Sequence, residues 1–256
     1  VTDLHPALLV ATAFIAILAA RPVVASEERS VTSRDVTGVV ELFTSQGCSS
    51  CPTADKLLTR LSEDSRLVAL AYHVDYWDYI GWQDTHGSRE NTERQRAYAK
   101  ALGKGGIYTP QMVVNGRRGA IGSREDDIRK ALAETSLQPS PALLTLSVDG
   151  KRLRVGVENG SGGPGSTTVL MLVTFTETTE TPVERGENKG LTLIDSHAVR
   201  DWRILGMGSD KPMETEIPLA ALKPDPATKI GCAAILQSVT EGGQPGPILA
   251  AAAIEF

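Results

Sequence analysis

Two cysteines separated by two residues, set between an apolar run and a proline, constrain this chain more than any other feature. The run Val39-Val40-Glu41-Leu42-Phe43-Thr44 leads through Ser45-Gln46-Gly47 to Cys48-Ser49-Ser50-Cys51-Pro52. Beyond Pro52, Ala54, Leu57, Leu58 and Leu61 recur at the spacing of a buried helix face. The order predicts a strand over 39–44, a tight loop, and a helix over 52–63. Pro52 fits the first helical turn, where a missing N–H costs nothing. Cys48 then precedes the helix, where free N–H groups and the helix dipole favour an anion. A thiolate in such a place has a lowered pKa and is the nucleophile of thiol–disulfide exchange. Cys51 is placed to resolve a mixed disulfide. Half of a metal site and an inert structural bridge are the alternatives. Against the first, the only further cysteine is Cys232, so a second pair for zinc is missing. Against the second, a bridge over two residues closes too short a loop to add much stability through chain entropy.

Residues 1–25 read as a cleaved export signal. The apolar run 7–20 is interrupted only by Thr12, which is short for a membrane span and right for a signal core. Val23-Val24-Ala25 supplies a small residue ahead of the charged Glu27-Glu28-Arg29, although the first five residues hold no Lys or Arg. Cleavage implies a periplasmic or secreted protein with no stable membrane anchor, in a compartment where disulfides persist. The formal net charge is -5. Without a block of basic residues, that argues against nucleic acid as a partner.

Leu67 to Val74 is a continuous apolar run, as in a strand covered on both faces. Joined to the first strand by a helix, it predicts a right-handed βαβ unit with parallel strands. His73 and the aromatic segment Asp75-Tyr76-Trp77-Asp78-Tyr79-Ile80-Gly81-Trp82 then fall near the cysteines. The rings either shape the approach to the dithiol or simply pack their own loop. A helix is expected over 88–102, closed by Gly103. Thr109-Pro110 precedes a short apolar strand, where proline is tolerated, and Asn115-Gly116 suits a hairpin turn. A last helix is expected over 123–135, with Ser123 and Asp126 as a capping pair.

Strand, CxxC, helix, strand, helix, Thr-Pro, two strands and a helix over residues 37–136 resemble the thioredoxin fold. Longer segments, namely Glu41 to Pro52, His73 to Asp78, Glu93 to Tyr98 and Tyr108 to Val114, are similar to the DUF1223 family of secreted thioredoxin-like proteins. Arg185-Gly186-Glu187-Asn188 and Gly246 to Ala250 extend that similarity into the second half. The resemblance implies a redox dithiol and a cis bond before Pro110. It also implies that Thr109 and Pro110 present main chain to an extended substrate. It supplies no substrate, and Ser49-Ser50 differs from the Gly-Pro of thioredoxin.

Pro139-Ser140-Pro141 reads as a linker. Beyond it, Leu144, Leu146 and Val148 lead through Asp149-Gly150 to Leu153, Val155 and Val157, a hairpin by pattern and turn chemistry. Further strands are expected over 167–175, 191–205, 230–239 and 248–256. Gly160, Gly162 and Gly165 spell G-x-G-x-x-G, but Pro164 interrupts them and no helix follows, so dinucleotide binding is excluded. Cys232, in an apolar strand pattern, is expected to be an inert core thiol.

The fold class expected is an α/β thioredoxin-like domain (26–138) followed by a mainly antiparallel β-sandwich-like domain (139–256). The function expected is thiol–disulfide exchange through Cys48 and Cys51 with protein or small-molecule thiols and disulfides, without a cofactor or metal. Thr109, Pro110, Tyr76 and Trp77 would line the substrate site. The rivals are a Cu/Zn-binding protein using Cys48, Cys51 and His73, and a non-enzymatic binding protein with a structural disulfide.

Overall fold

The computed structural model describes residues 28–103, 105–163, 165–223 and 229–256; the export signal expected over 1–25 lies outside them. In chain order the elements begin with β1 (Arg29–Thr32), β2 (Gly38–Thr44), α1 (Pro52–Ser62), β3 (Leu67–His73), α2 (Arg89–Ala101), β4 (Gln111–Val114), β5 (Arg118–Ile121) and α3 (Glu125–Glu134). Strands dominate the second half of the chain: β6 (Leu143–Val148), β7 (Arg152–Glu158), β8 (Thr167–Thr176), β9 (Thr178–Pro182), β10 (Thr192–Ser196), β11 (Val199–Met207), β12 (Met213–Pro218), the short helix α4 (Leu219–Leu222), β13 (Ile230–Val239) and β14 (Pro245–Glu255).

Four sheets result, ordered β3-β2-β4-β5, β11-β8-β13-β14, β1-β6-β7-β12 and β10-β9. Three of them stack, and the period-two alternation of the middle one explains how. On one side of the middle sheet, Met171, Val173, Phe175, Ala233 and Ile235 pack with Val39, Phe43, Val68, Leu70 and Tyr72 of β2 and β3. On the other side, Leu170, Leu172, Cys232, Ala234 and Leu236 meet Leu144, Leu146, Leu153 and Val155 of β6 and β7. Successive side chains of a strand point to opposite faces, so one strand serves two cores. The outer face of the β2–β3 sheet, with Val40, Leu42, Ala69 and Met112, is covered by Leu57, Leu58, Ile128 and Ala131 of α1 and α3.

The expected fold class is therefore corrected. In place of an α/β domain followed by a β-sandwich, the chain is a mainly antiparallel assembly. Among the described residues, nine of the ten strand pairings are antiparallel, and only β2 with β3 is parallel. The apolar run of β3 is covered on both faces as expected, and that of β2 likewise, but one cover is a second sheet where an α/β layer would have helices.

Smaller differences have local causes. Residues 29–32, ahead of every strand expected, form β1, which pairs with β6. The single strand expected over 191–205 is two, divided at His197, whose φ of 51° turns the chain. Ser88 caps α2 by accepting from the Asn91 amide, whereas α3 begins at Glu125 with no side-chain cap, so the Ser123–Asp126 pair does not form. The Asn115-Gly116 hairpin does form, with φ of 52° and 64°. A side chain at Gly116 would run into the Gly246 carbonyl, so the position admits only glycine.

Candidate functional site

The loop after β2 is wound tightly by its own main chain. Cys48 N–H donates to the Ser45 carbonyl and Cys51 N–H to the Cys48 carbonyl, each at 3.1 Å. Cys51 is the N-cap of α1 and Pro52 opens the helix. Cys48 and Cys51 are joined in a disulfide with Cα atoms 5.4 Å apart. Cys48 thus precedes the helix as the sequence predicts, but it is not open to solvent. Cys48 is 1% exposed and Cys51 0%, while Ser49 and Ser50 between them are exposed.

Of the four residues expected to line the site, Trp77 stands against this loop, Thr109 is bonded to Trp77, and Pro110 lies nearer the first turn of α1. Trp77 Nε1 donates to Thr109 Oγ1 at 2.7 Å, and a Cβ added to Gly47 would stand 3.2 Å from Trp77 Cβ. Trp77 therefore bridges the cysteine loop and the Thr109-Pro110 segment. The Thr109–Pro110 bond is cis. Pro110 lies by the first turn of α1, since a Cβ on Gly122 would meet Pro110 Cβ and Ala54 Cβ at 3.0 and 3.1 Å. Tyr76 stands behind, its ring 6.5 Å from Trp77 and packed on the core shared by β2, β3 and the middle sheet. Tyr79, in the same aromatic segment, is exposed.

Residues to which the sequence attached no role complete the surroundings. Gln46, buried, is a hub. Its Nε2 donates to Asp195 Oδ2 at 2.7 Å and to Thr85 Oγ1 at 3.0 Å. Its Oε1 accepts from Trp82 Nε1 and the Thr85 amide, both at 3.1 Å. The loop between β9 and β10 lies across the cysteines. Asn188, also buried, donates through Nδ2 to the carbonyls of Gln46 and Cys48 at 2.8 and 3.0 Å. Glu187 Oε2 accepts from the Ser49 amide at 3.1 Å. Both belong to the Arg185-Gly186-Glu187-Asn188 segment, whose similarity to a family was the one available signal.

Behind the helix is a buried ionisable group of unusual density. Asp55, one turn after Cys51, accepts from Thr44 Oγ1 at 2.7 Å. Burial pushes its carboxyl up to about 7, against the pull of His73 and the Thr44 hydroxyl. His73 Nδ1 pairs with Asp84 at 2.8 Å and its Nε2 lies 3.9 Å from Asp195. Burial alone would lower His73, but the charge and hydrogen bond of Asp84, with Asp195 and Asp55, outweigh it and raise the imidazole to about 9. Burial likewise opposes ionisation of Asp84, yet His73 and main-chain amides hold it below the usual range. The metal set Cys48, Cys51 and His73 is not assembled. The sulfurs are bonded to each other and His73 faces carboxylates, and among the described residues no group of three or more His, Cys, Asp or Glu is arranged to hold a metal.

The profile of the DUF1223 family, described as proteins of unknown function, matches residues 39–237. A crystal structure of a protein from Agrobacterium tumefaciens is 34% identical, with a TM-score of 0.73, over 86% of this chain and 94% of that one. HBP35 of Porphyromonas gingivalis, 13% identical over 86% of this chain and 74% of its own, has a TM-score of 0.57 and shows likeness of fold alone. No curated protein matches the sequence. Among the described residues no helix is long and apolar enough to cross a membrane.

Proposed function

We propose that this chain, which belongs to the DUF1223 family of proteins of unknown function, is a thiol–disulfide oxidoreductase working through Cys48 and Cys51. The observation that carries the reading is the disulfide at the N-terminus of α1, with Trp77 against Gly47 of the same loop and Thr109 bonded to Trp77. These features support a thioredoxin-like chemistry for the pair. In the reduced form, Cys48 thiolate attacks one sulfur of a substrate disulfide, forming a mixed disulfide and releasing the other sulfur as thiolate. Cys51 then attacks Cys48 Sγ, releases the second substrate thiolate and restores the Cys48–Cys51 bond. The positive end of the α1 dipole favours the attacking thiolate. Trp77, Thr109 and Pro110, with Tyr76 behind, form the wall along which a protein or small thiol substrate lies. The export signal read at the N-terminus supports a periplasmic or secreted site of action.

A structural disulfide in a binding protein is the second reading, favoured by the burial of both sulfurs. Trapping separates the two. The reduced Cys51→Ser variant, offered a glutathione mixed disulfide, accumulates an adduct on Cys48 under native conditions if the pair exchanges. The absence of any adduct before unfolding contradicts exchange.

A further inference from the structure

The loop between β9 and β10 comes from 138 residues along the chain, yet it grips the main chain on both sides of Cys48. Its form is fixed by its own bonds: Val183 N–H to the Leu191 carbonyl at 2.9 Å, and Gly190 N–H to the Val183 carbonyl at 2.8 Å. It is seated by Gly186, at φ 75°, where a Cβ would come within 3.2 Å of Trp82 Cβ. From this seat Asn188 occupies the carbonyls of Gln46 and Cys48, and Glu187 occupies the amide of Ser49.

The two contacts differ in kind. Asn188 is neutral and buried, so it fixes the loop. Glu187 is exposed and pairs with no cation among the described residues. The hydrogen bonds from Ser49 hold its carboxyl below the usual range, so it is charged at neutral pH. A carboxylate thus stands on the residue after Cys48 and takes up an N–H in the loop just ahead of the helix. That amide would otherwise help to solvate a thiolate, and a neighbouring anion disfavours one.

We propose that Glu187 is a positioning residue that holds down the reactivity of Cys48 and makes the pair more reducing, and that substrates work against this gate by displacing the Glu187–Asn188 strap. This rests on the exchange reading of the Cys48–Cys51 pair. The strap covers main-chain donors and acceptors that an extended polypeptide bonds to, so the substrate class favoured is a disulfide in an unfolded or extended protein segment. With the strap displaced, Ser49 N–H is free. Cys48 thiolate then attacks one substrate sulfur, the substrate S–S bond breaks, and the other sulfur leaves as thiolate. Cys51 attacks Cys48 Sγ, releases the second substrate thiolate and leaves the Cys48–Cys51 disulfide. An external dithiol such as dithiothreitol returns the pair to the reduced state.

The test uses the full chain reduced with dithiothreitol, freed of it, and alkylated with iodoacetamide near pH 7. Glu187→Gln is compared with wild type and with Glu184→Gln, which removes a charge from the same loop without touching Ser49. The expected result is a Cys48 rate on the order of threefold higher in Glu187→Gln alone, the scale of an exposed charge interaction. The ratio should shrink toward one at 1 M salt, where the Debye length is about 3 Å. The glutathione equilibrium should shift toward the dithiol in the same variant. A wild-type Cys48 that reacts and exchanges, with Glu187→Gln unchanged in rate, salt dependence and equilibrium, overturns the gate and leaves the exchange reading standing. A Cys48 inert in every form until unfolding overturns both.

Discussion

Glu41 and Arg94 form an ion pair at 2.7 Å with both side chains almost fully buried, and it fastens the β2–β3 sheet to the middle sheet. Tyr98 donates its hydroxyl to the same carboxylate, Arg94 Nη2 donates to Gln237 Oε1 of β13 at 3.2 Å, and the guanidinium lies 5.0 to 5.6 Å from the rings of Tyr72, Tyr98 and Trp202. Removing one partner leaves a buried charge alone, which costs about 3–5 kcal/mol. Arg94→Met should therefore lose about that much in denaturant unfolding. Adding Glu41→Gln should recover part of the loss, a coupling that a double-mutant cycle reads directly.

Gln46 predicts a defect of another kind. Its amide is the partner of the Asp195 carboxylate and of the Trp82 and Thr85 N–H groups. Gln46→Ala strands buried polar groups, each worth about 1–3 kcal/mol. Hydrogen exchange at Thr85 should quicken before that of β8 and β13, because the Thr85 amide loses its acceptor while the shared core is untouched. Uniform acceleration would contradict this.

The imidazole of His73 gives a pH dependence with a definite sign. Its folded value of about 9 lies above its ordinary 6.5, so folding favours the protonated form. That contribution is complete below about 6.5 and is lost as pH rises through about 9. Asp55, raised from 3.8 to about 7, has the same sign over a lower window. The stability difference between wild type and His73→Asn should thus narrow as pH rises from 6.5 to 9. A difference independent of pH in that range would contradict the placement of His73 between Asp84 and Asp195.

Cys232 is buried against Thr174, and burial pushes its thiol up to about 12. Cys232→Ala should leave exchange by the Cys48–Cys51 pair unchanged and cost on the order of 1 kcal/mol of stability. A disulfide-linked dimer in the wild type that disappears in the variant would show the thiol to be accessible.

What could be read from the sequence was local. The strand, loop and helix around Cys48, the Asn115-Gly116 turn, the hairpin at Asp149-Gly150 and the burial of Cys232 rest on periodicity and turn chemistry within a few residues. The fold class was not legible for a physical reason. An uninterrupted run such as Leu67 to Val74 says that both faces are covered but not by what, and Phe43, Tyr72 and Phe175 share a core that only the assembled sheets reveal. The site divides in the same way. Cys48, Cys51 and Pro52 announce themselves, and so do Thr109 and Pro110. Glu187, Asn188 and Asp195 reach the cysteine loop from 138 to 149 residues away as ordinary polar residues of a hairpin, and no spacing rule marks them.

The central claim is that Cys48 and Cys51 cycle within the folded protein, and an equilibrium redox titration of the native chain tests it most directly. The protein is equilibrated in glutathione and dithiothreitol buffers, its thiols are alkylated, and the dithiol fraction is read by mass while circular dichroism follows the fold. The predicted result is one reversible two-electron transition with a midpoint between about −270 and −120 mV, the span of exchanging dithiols, and an unchanged fold across it. A midpoint below about −300 mV, the range of structural bridges, or reduction seen only as the protein unfolds, would contradict it.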